Sequence, residues 1–472
     1  MNFFTDKKTK TGSAFARSDL SSLENIEIND EWRNIIDTIE NTHENIFITG
    51  KAGTGKSTLL RYFTKHTQKR PTLLAYTGAA SVNIGGQTIH SFFGFKPGIT
   101  VDRIYRFDEE NMLYKNLKMI IIDEISMVRA DLLDCMDKFL RLNGPTSKLP
   151  FGGVQMVFIG DLYQLSPIVR ESERELFKTV YRSPFFFDSK VFHKAQVRNF
   201  LLRKVYRQSD TSFIETLDAI RLARADDGHL EEINKRCSEI NDQEHGLHVH
   251  LVTTNPMARN INGRKLNQLK SPTHSFKGTF EGEFNRNNLP TDEELHFKEG
   301  ALVMLLNNDS NKRWVNGDIA IIDEIKEENG FKQIFVKLDH RSVQDEVYQY
   351  TWEEIRYFYN PEKKSIDSES IGTYIQYPLK LAWAVTIHKG QGKTFDKAIV
   401  DFGRRTFAHG QAYVALSRCR GIEGLVMKTP LEYRHIIVDQ RVNEFMESLT
   451  NQNSLFEPHP LRNLIKDEET DN

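Results

Sequence analysis

Short apolar segments alternate with helix-like segments over much of the chain, and each apolar segment ends in a polar or glycine-rich turn. Six such segments are residues 46–49, 72–76, 119–122, 156–159, 247–253 and 397–402. Buried strands that alternate with helices are typical of βαβ units around a parallel sheet. The pattern therefore predicts an α/β protein with two lobes, each built on a parallel sheet.

The pattern changes between residues 270 and 378, where short strand-like segments follow one another without helices. These segments are residues 301–306, 318–325, 333–338 and 347–352, with turns at Asn316-Gly317 and Asn329-Gly330. Asn-Gly pairs between alternating segments favour hairpins. The sequence predicts a small all-β insertion in the second lobe.

These changes of pattern divide the chain into several parts. The predicted parts are a flexible arm (1–25), a first lobe (26–200) with a short insertion (95–117), a second lobe (201–269 and 379–449), the β insertion (270–378) and a disordered tail (450–472). The tail is assigned because it is rich in Asn, Pro and acidic residues.

The strongest chemical signal is the segment GKAGTGKST at residues 50–58, which directly follows a predicted strand. It fits the GxxxxGK[ST] pattern, in which backbone amides and a helix N-terminus hold phosphates. Lys56 would reach the β- and γ-phosphate oxygens, and Ser57 would bind Mg²⁺. The segment predicts an ATP and Mg²⁺ site whose nucleotide-binding residues are Gly53, Thr54, Gly55, Lys56, Ser57 and Thr58.

Two further strands end in residues suited to phosphoryl chemistry. Asp123 and Glu124 follow the strand at 119–122, where Asp123 would hold Mg²⁺ and Glu124 would act as general base. Gln164 follows the strand at 156–159 and could sense the γ-phosphate, although on its own it is more simply a surface amide. Arg207 and Arg418 could supply positive charge to the transferring phosphoryl group, although on their own they are more simply surface or salt-bridging residues.

Composition excludes several classes of protein. Hydrophobic residues make up 39% and charged residues 27% of 472 residues, with a net charge of −2, which is ordinary for a globular protein. The longest apolar run, 301–306, is far below the ~20 residues of a membrane span, and no secretory signal is visible. Three widely spaced cysteines fit a reducing cytosol and argue against a disulfide framework.

Taken together, the motifs resemble those of superfamily-one DNA helicases, and most closely the Pif family, related to RecD and the phage helicase Dda. The motifs cover most of residues 45–421 in the family's order. They are GKAGTGKST (50–58), YTGAASVNIGGQTIHSFFGF (76–95), IIIDEISMV (120–128), PFGGVQMVFIGDLYQLSPI (150–168), VYRQSD (205–210), TTNPMARNIN (253–262), VNGDIAII (315–322), AVTIHKGQGKTFDKAIVDFG (384–403) and YVALSRCRG (413–421).

The resemblance implies two RecA-like lobes with ATP between them, an Src-homology-three-like barrel at 270–378 and a duplex-splitting wedge at 95–117. It implies an ATP-dependent helicase that moves 5′→3′ on single-stranded DNA and opens forked duplex, G-quadruplexes or R-loops in replication, recombination or repair. Its catalytic residues would be Lys56, Glu124, Gln164, Arg207 and Arg418. We expect a monomeric, cytoplasmic protein of bacterial or phage type that has no membrane partner.

The same resemblance implies a set of DNA contacts, made by hydroxyl, amide, imidazole and ammonium groups that suit phosphates. They are Thr77, His90, Asn255, Thr386, His388 and Lys389. Phe92 and Phe93 could stack on bases, or they could belong to the core.

One position departs from the family pattern. Trp32 stands where the family usually has a glutamine that reads adenine. We therefore hypothesise weaker discrimination among nucleotides, or stacking of the base on Trp32 or Tyr206.

Other signals and functions are weaker. His245, His248 and His250 could bind a metal but more simply flank a strand, and Phe185–Phe187 more simply close a core than bind a cofactor. Residues 452–456 (QNSLF) resemble a peptide that binds the bacterial sliding clamp. Three other functions are possible from the sequence. The first is a translocase that strips proteins or unwinds RNA. The second is a nucleotide switch, against which the absence of an NKxD motif argues, and the third is a clamp-tethered adaptor with a vestigial ATPase, against which the intact site residues argue.

Overall fold

The computed structural model describes residues 28–454, except 97, 108–110, 170, 209, 240–246, 287–288, 329–330, 339–342, 363–364, 404–405 and 407. The predicted arm at 1–25 and most of the predicted tail lie outside the described residues. Within the described residues, no helix is both long enough and apolar enough to cross a membrane.

The first lobe is built on a six-stranded, fully parallel sheet in the order β3-β2-β4-β5-β1-β6. Its elements are α1 (Asp30–Asn41), β1 (Ile46–Gly50), α2 (Lys56–His66), β2 (Thr72–Ala75), α3 (Gly78–Ile84), β3 (Gln87–Thr88), α4 (Ile89–Phe93), α5 (Met112–Lys115), β4 (Met119–Asp123), α6 (Ala130–Asn143), β5 (Gln155–Ile159), α7 (Glu171–Val180) and β6 (Arg198–Leu202). Strands β1, β2, β4 and β5 are buried along their whole length, as continuous apolar runs predict.

The second lobe begins with α8 (Thr211–Arg221), α9 (Asp227–Asn234), β7 (Val249–Val252) and α10 (Asn255–Gln268). The β insertion then interrupts it. Strands β18 (Ala384–Thr386), β19 (Ala398–Asp401) and β20 (Leu425–Met427) complete a four-stranded parallel sheet in the order β18-β7-β19-β20, so this lobe also has the predicted α/β class.

The insertion forms three antiparallel sheets, ordered β10-β8, β14-β13-β12-β11-β17 and β15-β16-β9. Its strands are β8 (His274–Lys277), β9 (Thr279–Gly282), β10 (Glu294–Phe297), β11 (Leu302–Leu305), β12 (Ile319–Glu328), β13 (Phe331–Leu338), β14 (Gln344–Val347), β15 (Tyr350–Asn360), β16 (Ser365–Gln376) and β17 (Leu379–Leu381). The remaining elements are α11 (Gln411–Leu416) and α12 (Gln440–Ser454).

One predicted strand of the insertion is wrong. The segment 347–352 was expected to be a single strand, but the chain leaves one sheet after β14 and enters another at β15. Tyr348, at this crossing, is 61% exposed, because it lies between the two sheets and belongs to neither. The sequence pattern could not separate the strands, because Val347 on one flank and Tyr350, Thr351 and Trp352 on the other are all residues that favour strands.

Helix α12 returns from the second lobe to pack on the first. The Phe445 ring stacks on Phe187 with centroids 4.1 Å apart. Arg441 makes two hydrogen bonds, of 2.9 and 2.6 Å, to the buried Asp188 carboxylate. Phe185–Phe187 is therefore core that joins the lobes, as the sequence favoured.

Candidate active site and nucleic-acid surface

The phosphate-binding loop lies between β1 and α2 and is shaped by two glycines. Gly53 and Gly55 have φ angles of +81° and +85°, which a residue with a Cβ adopts only under strain. At Gly53 a Cβ would also lie 2.6 Å from the Arg207 Cβ. The Lys56 ammonium lies inside the loop and donates to the carbonyls of Gly50 and Lys51 at 2.7 and 2.9 Å.

Two acidic residues stand at the end of β4, beside the loop. Asp123 is 9% exposed, and burial together with the Glu124 charge raises its pKa to about 7. Burial also raises the pKa of Glu124, while Lys56 and Arg418 oppose that rise. Glu124 has a φ of +51°, an uncommon left-handed conformation for a non-glycine residue and one that clusters at functional sites. The strand end therefore presents one buried carboxylate, Asp123, and one half-buried carboxylate, Glu124, beside the loop.

The two candidate arginines lie near each other, and both feel the charge of Glu124. Arg418 is 1% exposed and belongs to the second lobe; its Nε donates to the Val414 carbonyl at 2.9 Å. Arg207 donates to the Ser417 carbonyl at 3.3 Å. Burial, and then the neighbouring Arg207 charge, lower the pKa of Arg418, and Glu124 acts on it in the opposite direction. Residues remote in sequence thus face one cleft.

Asp161, two residues after β5, joins the two lobes beneath the cleft. Its fully buried carboxylate accepts a hydrogen bond from the Tyr413 hydroxyl at 3.3 Å and lies 3.5 Å from the Arg221 guanidinium. Gln164 also donates to it at 3.3 Å. In this arrangement the amide of Gln164 is therefore held by Asp161, within the same buried cluster as the Lys56 charge.

The far end of the loop is lined by aromatic rings. Trp32 is 4% exposed, and its ring lies 2.9 Å from the position that a Cβ on Gly55 would take. Tyr206 is 51% exposed, and its hydroxyl accepts a hydrogen bond from Asn29 at 3.2 Å. Of the two rings expected to stack on a base, Tyr206 is the exposed one, with the Lys204 ammonium 5.0 Å from its centroid, whereas Trp32 supports the loop.

Thr77 and His90 line one groove of the first lobe, with a volume of about 1520 Å³. Thr77 caps α3 by accepting from the Ala80 amide. Burial lowers the pKa of His90, so its ring is neutral near pH 7. Both residues keep an edge at the groove, which suits hydrogen bonding to a strand.

The DNA contacts expected in the second lobe lie on another surface. A residue of the β insertion links that surface to the first lobe. Asn255 and Lys389 are exposed, and burial lowers the pKa of His388. Lys393 donates to Asn316 at 2.8 Å, and Asn316 donates to Asn83 of α3 at 3.2 Å. This chain of contacts connects α3, which follows Thr77, with the segment that carries His388 and Lys389.

Three expected DNA contacts are not available at the surface. Phe92 and Phe93 are 4% and 3% exposed, because they pack edge-on to each other and against Tyr114 and Phe139. Their prediction as base-stacking residues is corrected to core. Thr386 is also 4% exposed, and its hydroxyl accepts from the Lys389 amide at 3.3 Å, so it shapes the turn and does not face outward.

The histidine cluster does not form a metal site in the part of the chain that the structure describes, where no group of three potential metal ligands is found. His245 lies outside those residues. Burial lowers the pKa of His250 to about 4, which fits a neutral side chain on β7.

The sequence reasoning missed Asp161, Arg221, Gln391 and Tyr413. Asp161 and Tyr413 stand inside motifs quoted for other residues. The role of Asp161 could have been predicted, because it follows the end of a buried strand, where parallel sheets gather polar groups. Gln391 is the amide donor to Glu124, at 3.0 Å, and comes from the second lobe.

The family described as PIF1-like helicase matches residues 27–228. A protein of Bdellovibrio bacteriovorus named ATP-dependent DNA helicase Pif1 is 32% identical over 440 residues, covering 90% of this chain and 93% of the relative. The chain spans 62% of the length of the Homo sapiens relative, which is 32% identical over 425 residues.

Three solved structures of Bacteroides Pif1 resemble this one, each covering 91% of this chain and 98% of its own. The unliganded protein matches with a TM-score of 0.81 at 35% identity. The complex with ADP-AlF3 and ssDNA matches with a TM-score of 0.66 at 34% identity. The unliganded relative thus matches better than this complex with ssDNA, and the Bacteroides complex with ADP-AlF4 matches as well as the unliganded protein, with a TM-score of 0.82 at 34% identity.

Proposed function

Because this chain belongs to the PIF1-like helicase family and is an ATP-hydrolysing DNA helicase, we propose that it moves 5′→3′ along single-stranded DNA and opens the duplex ahead of it. We extend the proposal to G-quadruplexes and R-loops met in replication, recombination or repair. The observation that carries the proposal is the cleft in which the Glu124 carboxylate of the first lobe feels the charges both of Lys56 from its own lobe and of Arg418 from the second lobe.

In this proposal each residue of the cleft has one role. Lys56 binds the β- and γ-phosphates, and the loop amides of residues 53–58 surround them. Glu124 polarises the attacking water as general base, and Gln164 senses the γ-phosphate. Arg207 and Arg418 stabilise charge that spreads over the transferring phosphoryl group. Because Arg418 comes from the second lobe, the hydrolysis state would set the angle between the lobes.

Mg²⁺ is proposed as the metal, held by Ser57 and Asp123. The donor set fits: an exposed hydroxyl at the start of α2, and a buried carboxylate whose pKa is raised to about 7 by burial and by Glu124. A divalent cation would compensate these adjacent carboxylates, and it would neutralise charge on the phosphates.

The proposed strand path runs over Thr77 and His90 of the first lobe and Asn255, His388 and Lys389 of the second. The complex of the Bacteroides relative with ssDNA supports a strand as the partner. These groups suit phosphate contacts, which position a strand without reading its sequence. Unwinding should therefore depend weakly on base sequence.

Polarity is tested with forked duplexes that carry only a 5′ or only a 3′ single-stranded tail. We expect unwinding with the 5′ tail, and preference for the 3′ tail would overturn the proposed direction. An RNA-tailed duplex and a protein-blocked single strand separate the alternative of an RNA or protein-stripping translocase, which would act on those substrates and leave the DNA fork closed.

Two variants test the assignment of chemistry. Lys56→Ala should abolish hydrolysis and unwinding together. Glu124→Gln should still bind ATP but turn it over slowly, because binding and general-base action are separate roles. Strong turnover in Glu124→Gln would contradict the role of Glu124.

The sliding-clamp peptide at 452–456 stays a proposal, since Leu455 and Phe456 lie outside the described residues, and α12 runs to Ser454. A clamp pull-down that survives Leu455→Ala combined with Phe456→Ala would end the idea. The proposed monomeric state is checked by sedimentation with and without forked DNA.

A further inference from the structure

A single turn of the second lobe, residues 386–393, touches both the proposed DNA surface and the proposed catalytic centre. It is closed by backbone hydrogen bonds from Gly390 to Thr386 at 2.9 Å, from Gln391 to His388 at 3.2 Å and from Lys393 to Gly390 at 3.1 Å. A segment bonded in this way moves as a unit. Displacement of His388 or Lys389 would therefore displace Gln391.

Gln391 reaches across the cleft to the first lobe. Its side-chain Nε2 donates to the Glu124 Oε2 at 3.0 Å. On the other side of the turn, the Lys393 carbonyl accepts from Arg418 at 3.4 Å. The turn that carries two proposed DNA contacts thus holds the proposed general base and one proposed phosphate-contacting arginine.

The space around Gly392 gives this turn room to move. Gly392 has a φ of +78°, and a Cβ placed there would meet nothing within 4 Å. Glu124 lies in a left-handed conformation, with a φ of +51°. Such a conformation persists only where the surroundings hold it, so the direction of the Glu124 side chain depends on its partners.

We propose that Gln391 restrains Glu124 when no DNA is bound, and that DNA on His388 and Lys389 shifts the turn and releases the carboxylate. The amide occupies one of the two carboxylate oxygens and fixes the direction of the other, so the restrained base is poorly placed to take a proton from the attacking water. ATP turnover is thereby slow without DNA. The inference rests on the proposed function, since it takes Glu124 as the base and this turn as a DNA contact.

The test compares steady-state ATP hydrolysis with no DNA and with a saturating oligo(dT) strand. Gln391→Met keeps the length of the side chain and removes the donor. We expect its DNA-free kcat to rise about threefold to tenfold, the range set by one net hydrogen bond. Its kcat with DNA should stay within about twofold of the wild-type value, so the stimulation by DNA falls. The KM for ATP should not change, because the amide does not contact the phosphate-binding loop.

A second variant should lower the rate of ATP hydrolysis without DNA. Gln391→Lys replaces the amide by an ammonium group that pairs with the carboxylate more strongly. Its DNA-free kcat should therefore fall below the wild-type value. The matched control is Gln333→Met, which removes an equivalent amide–carboxylate contact, to Glu346 at 3.0 Å, inside the β insertion. The control should leave both rates unchanged.

The outcomes separate this inference from the proposed function. If wild-type hydrolysis is not stimulated by oligo(dT), the proposed function fails. If the wild type is stimulated but Gln391→Met leaves the DNA-free rate unchanged, only the inference fails. If Gln391→Met lowers both rates by the same factor, Gln391 positions Glu124 productively, and the restraint is refuted. Thermal melting of both variants confirms that they are folded.

Discussion

The Tyr413 hydroxyl of the second lobe accepts a hydrogen bond from the Ala52 amide of the phosphate-binding loop at 2.7 Å. The same hydroxyl donates to the buried Asp161 carboxylate at 3.3 Å. Burial, and then the Asp161 charge, raise the pKa of Tyr413, so the hydroxyl stays protonated and can bridge the two groups. Since Tyr413 lies on α11, just before Arg418, this bridge fixes where the arginine meets the cleft.

Tyr413→Phe tests this bridge, because it removes only the hydroxyl. We expect kcat for DNA-stimulated hydrolysis to fall about fivefold, as the loss of ~1 kcal/mol of net hydrogen bonding implies. Tyr433→Phe is the control: its hydroxyl donates to Asp227 at 2.7 Å on an exposed surface. Equal kcat in Tyr413→Phe and the wild type would show that the bridge does not position the arginine.

The exposed ring of Tyr206 should bind the nucleotide base. Tyr206→Ala should raise the KM for ATP and for GTP by similar factors, about fivefold or more, because stacking is worth ~1–3 kcal/mol and does not distinguish bases. Initial-rate measurements with each nucleotide check this, with Tyr348→Ala in the β insertion as control. A strict ATP requirement that survives both Tyr206→Ala and Trp32→Ala would contradict the stacking hypothesis and the weaker discrimination expected from Trp32.

Single-strand binding should weaken between pH 7 and pH 9. Lys380 adjoins Lys389, a proposed DNA contact, and Lys393 adjoins Lys380, so we place both lysines beside the proposed strand path. Burial and the neighbouring Lys380 lower the pKa of Lys393 to about 8, and burial and the neighbouring Lys389 lower the pKa of Lys380 likewise to about 8. Both side chains are mostly charged at pH 7 and mostly neutral at pH 9, so their attraction for phosphate is lost as the pH rises.

Fluorescence anisotropy of a labelled oligonucleotide at constant salt measures this change. Lys393→Arg keeps its charge over the whole range and should flatten the pH dependence. Lys337→Arg, at a surface pair with Asp323, serves as the control. An unchanged slope in Lys393→Arg would show that Lys393 does not contact the strand.

The contact between Arg441 and Asp188 should dominate the stability of the packing of α12. Arg441→Met leaves the Asp188 carboxylate buried without its cation, and we expect the free energy of unfolding to fall by about 3–5 kcal/mol. Arg434→Met, which breaks an exposed pair with Glu432, should cost at most about 1 kcal/mol. Urea unfolding of the two variants makes the comparison, and equal midpoints would contradict the prediction.

The sequence predicted those parts of the molecule that local pattern determines. The loop at 50–58 and the buried strands before it and before Asp123 were found because apolar runs and glycine spacing are local signals. The two parallel sheets followed from the same alternation of strands and helices.

The contacts between lobes were beyond the reach of local pattern. Gln391 and Glu124 are 267 residues apart, and Ala52 and Tyr413 are 361 residues apart. Phe92 and Phe93 show the opposite difficulty: their pattern fits either a surface that stacks on bases or a core, and only the packing against Tyr114 and Phe139 decides.

The return of α12 to the first lobe limits how the protein can convert hydrolysis into movement. The lobes are joined through the segment after β6 and again through the stacked rings of Phe187 and Phe445. This attachment is separate from the cleft, so the contacts of Gln391 with Glu124 and of Tyr413 with Ala52 could break during turnover while α12 keeps the lobes tethered.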